Sequence, residues 1–231
     1  MRKIRLLTLA VASVLLVTGC NKDNGGSETP PDPEKTNYEK ALAAVSSFDI
    51  EKTNGYDYSL KQYLGKDEVN SDVISLRADF SGSITAQKDE TSKRLNTYGS
   101  GEQFTTTQVT TYFSNNMICE YKNGQWKWSN YKKSDYFAIS ISSIKFDKSY
   151  LSSLKEDLSS KYVLTADVPD EKVKEFLNSE TASFTSVSVK LTVSADFTNF
   201  ESLELSYFQT NTRSEMKFEV YRGSVSINLP N

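Results

Sequence analysis

Apolar and polar residues alternate along most of this chain, and the period of alternation changes from stretch to stretch. Tyr38, Leu42, Val45 and Phe48 fall at helical spacing with alanines between them, which predicts a first helix over residues 38–48. Period two then takes over. Gly55 to Leu64 places Tyr56, Tyr58 and Leu60 on one side. From Ile74 to Ala86, Ile74, Leu76, Ala78, Phe80, Ile84 and Ala86 share a face, and polar residues fill the other. This predicts one long half-buried strand, with Gly82 marking a bulge or bend. Further strands are predicted over residues 92–98 and 104–113.

The clearest local pattern is Met117 to Trp128. Asn123-Gly124 has the residues of a two-residue type I′ turn. Counting outward pairs Lys122 with Gln125, Tyr121 with Trp126, Glu120 with Lys127 and Cys119 with Trp128. One face then carries Met117, Cys119, Tyr121, Trp126 and Trp128, and the other an attractive Glu120–Lys127 pair. Tyr150, Leu151, Leu154 and Leu158 return to helical spacing, with Asp147 or Ser149 as cap. Residues 162–168 read as extended. Pro169 suits a first helical position, and Val173, Phe176 and Leu177 form that helix's apolar stripe. Four strands follow, over residues 187–195, 203–207, 216–220 and 225–229, with short polar links that imply antiparallel neighbours.

Long one-sided strands need cover for their apolar face. About nine to eleven strands and about three helices predict an α+β fold that is mainly β. It is a curved antiparallel sheet, an open half-barrel, with a few helices covering its concave face.

The first 36 residues follow no such pattern. Arg2, Lys3 and Arg5 precede an uncharged apolar run, Leu6 to Val17, then Thr18, Gly19 and Cys20. This is the plan of a secretory signal peptide, and the run is short of the ~20 residues that span a bilayer. Val17-Thr18-Gly19-Cys20 resembles the lipobox of bacterial lipoproteins. The resemblance implies a diacylglyceryl group on the Cys20 sulfur and cleavage before it. It also implies anchoring on the extracytoplasmic side of a membrane, since two or more acyl chains hold stably where one does not. Residues 21–36 hold three of the five prolines and no large apolar residue, so they read as a tether. The expected organisation is a signal peptide over 1–19, lipidated Cys20 and tether over 20–36, and one β-rich domain over 37–231.

Composition narrows the chemistry. Lys plus Arg number 27 and Asp plus Glu 30. Removing 1–19 takes three bases and leaves 24 − 30 = −6, which argues against a nucleic-acid partner. Histidine is absent, so Ser-His-Asp, Cys-His and His-zinc sites are excluded. Ser142 to Lys145 and Ser152 to Lys155 match S-x-x-K, but no K-T-G or S-D-N element accompanies them. No glycine-rich phosphate loop or metal motif stands out, so the expectation is a non-enzyme with no cofactor and no metal. With Cys20 lipidated, Cys119 is left without a disulfide partner and reads as a small buried apolar residue.

The order of elements then suggests a family. A first helix, a run of antiparallel strands, the Asn123-Gly124-x-Trp126-x-Trp128 hairpin, a helical interruption and a meander ending in VSINLP resemble the lipoprotein-carrier superfamily of LolA, LolB and LppX-like lipoproteins. The resemblance covers residues 38–231 and implies a hydrophobic cavity that holds acyl chains. It implies a membrane-anchored, non-catalytic module for a lipid or other amphiphile, with Leu76, Phe80, Tyr121, Trp126 and Trp128 as candidate lining. The alternative is a surface or structural lipoprotein acting through protein contacts, in which those aromatics are plain core.

Overall fold

A computed structural model of the chain describes residues 35–79, 84–98, 101–130, 144–179 and 181–230. Cys20 and Phe80, with the signal peptide and most of the tether, lie outside the described residues.

The first helix, α1, is Asn37–Ser46. Thr36 starts it with a reciprocal capping box: its hydroxyl accepts from the Glu39 N–H, and the Glu39 carboxylate accepts from the Thr36 N–H at 2.7 Å. Tyr38, Ala41 and Ala44 are its buried stripe.

Eleven strands follow among the described residues. They are β1 (Gly55–Leu64), β2 (Asp67–Asp79), β3 (Thr85–Tyr98), β4 (Gly101–Ser114), β5 (Met117–Lys122) and β6 (Gln125–Asn130), then β7 (Ser152–Asp157), β8 (Tyr162–Val168), β9 (Thr185–Val193), β10 (Phe200–Gln209) and β11 (Thr212–Val220). A second short helix, α2, spans Val173–Leu177. All strands join one antiparallel sheet in the order β6-β5-β4-β3-β2-β1-β11-β10-β9-β8-β7. β6 and β7 sit at opposite edges and do not pair, so the curved sheet is an open half-barrel. The first and last strands meet at its middle, where Tyr56 faces Val220 and Leu64 faces Thr212.

The core lies on one side of this sheet, its inner face. Directly paired residues share a face, and the row Tyr58, Phe218, Leu203, Leu191, Leu164 runs across β1, β11, β10, β9 and β8. Phe48, two residues beyond α1, meets Phe200 and Phe218 edge-on at 5.0 and 6.0 Å. From α2, Val173 and Phe176 are buried, and Phe176 meets Phe146 at 5.6 Å. Burial of this many Phe, Leu and Val side chains, at about 1.5–3 kcal/mol each, is what holds the sheet without a disulfide.

The hairpin register over residues 117–130 is the predicted one, with Asn123 and Gly124 at φ 54° and 81°. Three expectations are corrected. First, the stretch 74–86 belongs to two antiparallel strands, β2 ending at Asp79 and β3 beginning at Thr85. Ala78 faces Ala86 and Asp79 faces Thr85, so residues of like parity share a face in both strands. The alternation therefore runs on unbroken from one antiparallel strand to the next. Second, residues 152–157 form β7 rather than a helix. Asp147 does cap, accepting from the Ser149 N–H at 2.8 Å, but only a single 3-10 turn follows. Serine-rich 152–160 is a poor helix former, and the β8 edge supplies ladder partners such as Thr165 for Lys155. Third, residues 225–229 form no strand. Both sides of β11 are already paired, to β1 and β10, so the chain beyond Val220 has no adjacent edge to join.

Candidate functional site

Register across four ladders decides which candidate residues meet. Leu76 faces Lys88, Lys88 faces Thr111, Thr111 faces Glu120, and Glu120 faces Lys127. Leu76 is fully buried on the inner face, so Glu120 and Lys127 lie on the inner face too. Tyr121, Trp126 and Trp128 alternate with them and stand on the outer face. The structure therefore separates Leu76 from the three hairpin aromatics, which cannot line one cavity with it. On the outer face Trp126 contacts Tyr112 and Tyr121 edge-on, each at 5.3 Å. Tyr121 remains 61 % exposed, and Cys119 is buried beside these rings. Burial, and secondarily the Glu120 carboxylate, push the Cys119 thiol up from its ordinary value, away from the reactive thiolate.

The inner face grades from apolar to charged. Leu164, Leu191 and Leu203 are buried on β8 to β10. Towards β1 and β2, Tyr58, Leu60 and Ile74 are only half-buried, though Tyr58 and Ile74 still pack against the core. Beside Ile74 on β3 lie Lys88 and Glu90, paired at 3.2 Å, and the next inner-face position of β2, Asp72, is ionic too. Asp72 accepts both hydrogen bonds of Arg94 Nη2, at 2.7 and 2.8 Å, and one from Ser92 at 2.7 Å. Arg94 also donates to the Ser71 carbonyl at 2.9 Å. Burial first, then Tyr207 and Asp72, push the Tyr58 phenol up to about 12, so it is a neutral hydroxyl at the border of the two zones. Burial also raises Tyr207, whose ring meets Phe184 at 4.4 Å, tilted by 45°.

A defined cavity of about 590 Å³ opens on the outer face, across β1, β11, β10, β9, β8 and β7. A twisted sheet curves both ways like a saddle, so its outer side is locally concave. Lys190 pairs with Glu204 at 3.1 Å, and Ser188 shares a 3.0 Å hydrogen bond with Ser206. Lys61, Lys155, Lys217, Glu215 and Asp167 complete its charged walls. Sequence reading passes over this ladder because Lys, Glu and Ser on alternate positions are what any solvated strand face carries.

No metal-ligating cluster of three or more Cys, Asp or Glu occurs among the described residues. None of the described helices is long and apolar enough to cross a membrane.

No protein-family model matches the chain, and no curated protein matches it. Solved structures do align with it. LprF from Mycobacterium bovis aligns over 87 % of this chain and 98 % of its own, at 10 % identity and a TM-score of 0.41. The hypothetical protein CT021 from Chlamydia trachomatis covers 84 % and 96 %, at 14 % identity and a TM-score of 0.28. A domain from Vibrio parahaemolyticus assigned as an outer membrane lipoprotein-sorting protein covers 81 % and 93 %, at 8 % identity and a TM-score of 0.20. A likeness this distant says nothing about what this chain binds.

Proposed function

We propose that this chain is a membrane-anchored extracytoplasmic lipoprotein whose half-barrel binds a lipid or other amphiphile without catalysis. The observation that carries the reading is the gradient on the inner face. The half-buried Tyr58, Leu60 and Ile74 offer an apolar bed, and Asp72, Ser92 and Arg94 beside it offer a hydrogen-bonding ledge. A ligand with an acyl part and a polar head matches both in one pose. The N-terminal pattern ending at Cys20 supports the address, and the proline-rich stretch behind it supports a tether.

Two measurements test it. Mass spectrometry of the organic extract from purified residues 21–231, which contain every described element, is expected to find a stoichiometric lipid. An empty extract, with no uptake of an added fluorescent fatty acid, contradicts the ligand reading. Cys20→Ser is expected to release the chain from membranes or leave it unprocessed. A variant still processed and membrane-bound contradicts the anchor.

One observation favours a second reading, a surface lipoprotein acting through protein contacts. Tyr121 and Trp126 stand on the outer face of the hairpin that forms one edge of the sheet. Tyr and Trp are the residues that most often anchor such contacts.

A further inference from the structure

We propose that the outer face of β4, β5 and β6 rests on the surface of the membrane that holds the chain, its aromatic rings seated among neutral lipid headgroups. The proposal rests on the anchored reading of the chain and adds the surface that touches the bilayer.

The observation is an inversion of polarity within one sheet. On β1, β9, β10 and β11 the apolar side chains point inward, and the outer face carries charges such as Lys61, Lys190, Glu204 and Lys217. In the β5–β6 hairpin the order is reversed. Glu120, Lys122 and Lys127 stand on the inner face, and Tyr121, Trp126 and Trp128 on the outer. From Phe104 to Ser114 on β4, and along all of β5 and β6, no outer-face position carries a charge. Charged residues make up 25 % of the chain, so an uncharged area spread over three neighbouring strands is not the ordinary solvated face. Charge returns on β3, where Asp89 accepts from Thr110 at 2.6 Å and the Lys93 ammonium lies 4.0 Å from the Phe104 ring centre.

The composition of this area suits a bilayer interface. Tyr121 and Phe104 are exposed, and Trp126 is braced edge-on by Tyr112 and Tyr121. Tyr and Trp combine an apolar body with a polar tip, the composition that settles at headgroup depth. Thr106 and Gln108 beside them are polar but uncharged, which headgroups tolerate and hydrocarbon penalises.

The tether favours this partner over a protein. Residues 21–36 reach at most ~50 Å when fully extended, so a chain lipidated at Cys20 keeps its domain beside the bilayer. Contact with that bilayer is then intramolecular, at an effective concentration in the mM range, and a few rings suffice. Protein docking surfaces draw Arg in among their aromatic anchors, and no Arg stands on this area. Beyond residue 19 the net charge is 24 − 30 = −6, so attraction to anionic lipid is no part of the contact.

Trp126 and Trp128 are the only two tryptophans of the chain, so intrinsic fluorescence reports this area alone. The test places the full-length lipidated chain in phosphatidylcholine vesicles whose lipids carry bromine either just below the headgroup or at the end of the acyl chain. The expected result is quenching at least about twofold stronger from the shallow bromine, unmoved by about 0.5 M salt. Tyr121→Glu is expected to cut the shallow quenching at least about threefold, because it sets a charge on the contact. Tyr121→Ser takes its place if that variant fails to fold.

Unquenched tryptophans in a lipidated chain, quenching strongest from the deep bromine, or quenching unmoved by substitution of Tyr121 overturns the proposal. Tryptophan protection that needs an added cell-envelope protein, or that follows dimerisation of the chain, also overturns it and gives the area to that partner. Ile74→Glu is expected to leave the shallow quenching unchanged; its loss there assigns the signal to lipid on the inner face and overturns the proposal. The mass of the Cys20 peptide reports the anchor separately. An unmodified Cys20 overturns the anchored reading and this proposal with it, whereas unquenched tryptophans beside a lipidated Cys20 overturn this proposal alone.

Discussion

The guanidinium of Arg77 lies 3.8 Å from the centre of the Tyr221 ring. The same group holds both carboxylate oxygens of Asp57 at 2.9 Å and donates to the carbonyls of Tyr56 and Leu76. One side chain thus ties β2, β1 and the segment leaving β11 together. This is where the two halves of the sheet meet, because β1 is the strand that pairs with β11. The cluster is half-exposed, so screening limits its worth. Arg77→Ala is expected to lower stability by about 1–2 kcal/mol, and Arg77→Lys to recover little of that, since an ammonium cannot make the planar fork. Urea denaturation of the three proteins measures both.

Gly55 sits beside this cluster at φ +129°, and a Cβ there would lie 1.9 Å from the Leu76 carbonyl oxygen. The obstacle is backbone, which cannot swing away. Gly55→Ala is expected to cost on the order of 3 kcal/mol or more, far above the few tenths usual for a surface glycine. Thermal melting reads the loss. An unchanged melting temperature would mean that β1 and β2 do not approach in this register.

Phenols shielded from water set an alkaline limit, with Tyr162 and Tyr207 raised by burial as well. Tyr58 and Tyr38 are each pushed up to about 12, in both cases first by burial. In the unfolded chain a tyrosine ionises near 10. Folded pKa values above the unfolded one mean that the folded state holds the proton more tightly. Their contribution is therefore complete below about pH 10 and is lost as pH rises towards about 12. Stability is expected to fall across that window, and Tyr58→Phe to make the fall shallower. Phenolate absorbance followed alongside unfolding distinguishes the shielded tyrosines from exposed ones, and its change in Tyr58→Phe isolates Tyr58.

The separation of the two faces has its own consequence for binding. Ile74→Glu places a charge in the apolar bed and is expected to weaken lipid uptake by about tenfold or more. Trp126→Ala, on the opposite face, is expected to leave uptake within about twofold while lowering stability by about 1 kcal/mol through its lost ring contacts. Displacement of a fluorescent fatty acid measures both. A loss confined to Trp126→Ala would reverse the assignment of faces.

Local rules made the hairpin legible. Asn123-Gly124 sets the turn, and counting outward from it places every partner. The same parity argument hid the end of β2 at Asp79, because pairing Ala78 with Ala86 continues the alternation from one antiparallel strand to the next. Residues 152–157 and 225–229 were decided by which strand edges were free, a property of the finished sheet and not of either segment. The candidate site shows the same division. Grouping Tyr121 with Trp126 and Trp128 needs one ladder, and that grouping holds. Joining them to Leu76 needs the summed register of four ladders, and a strand boundary misplaced inside 74–86 is enough to lose it.

The central claim is that an amphiphile lies on the inner face beside β1 and β2. Photo-crosslinking with a diazirine-bearing fatty acid, followed by peptide mapping, tests it most directly. The account predicts adducts on peptides carrying Tyr58, Leu60 and Ile74, lost on competition with unlabelled fatty acid. Adducts confined to the outer-face aromatics of residues 117–130, or labelling that competitor does not reduce, would contradict it.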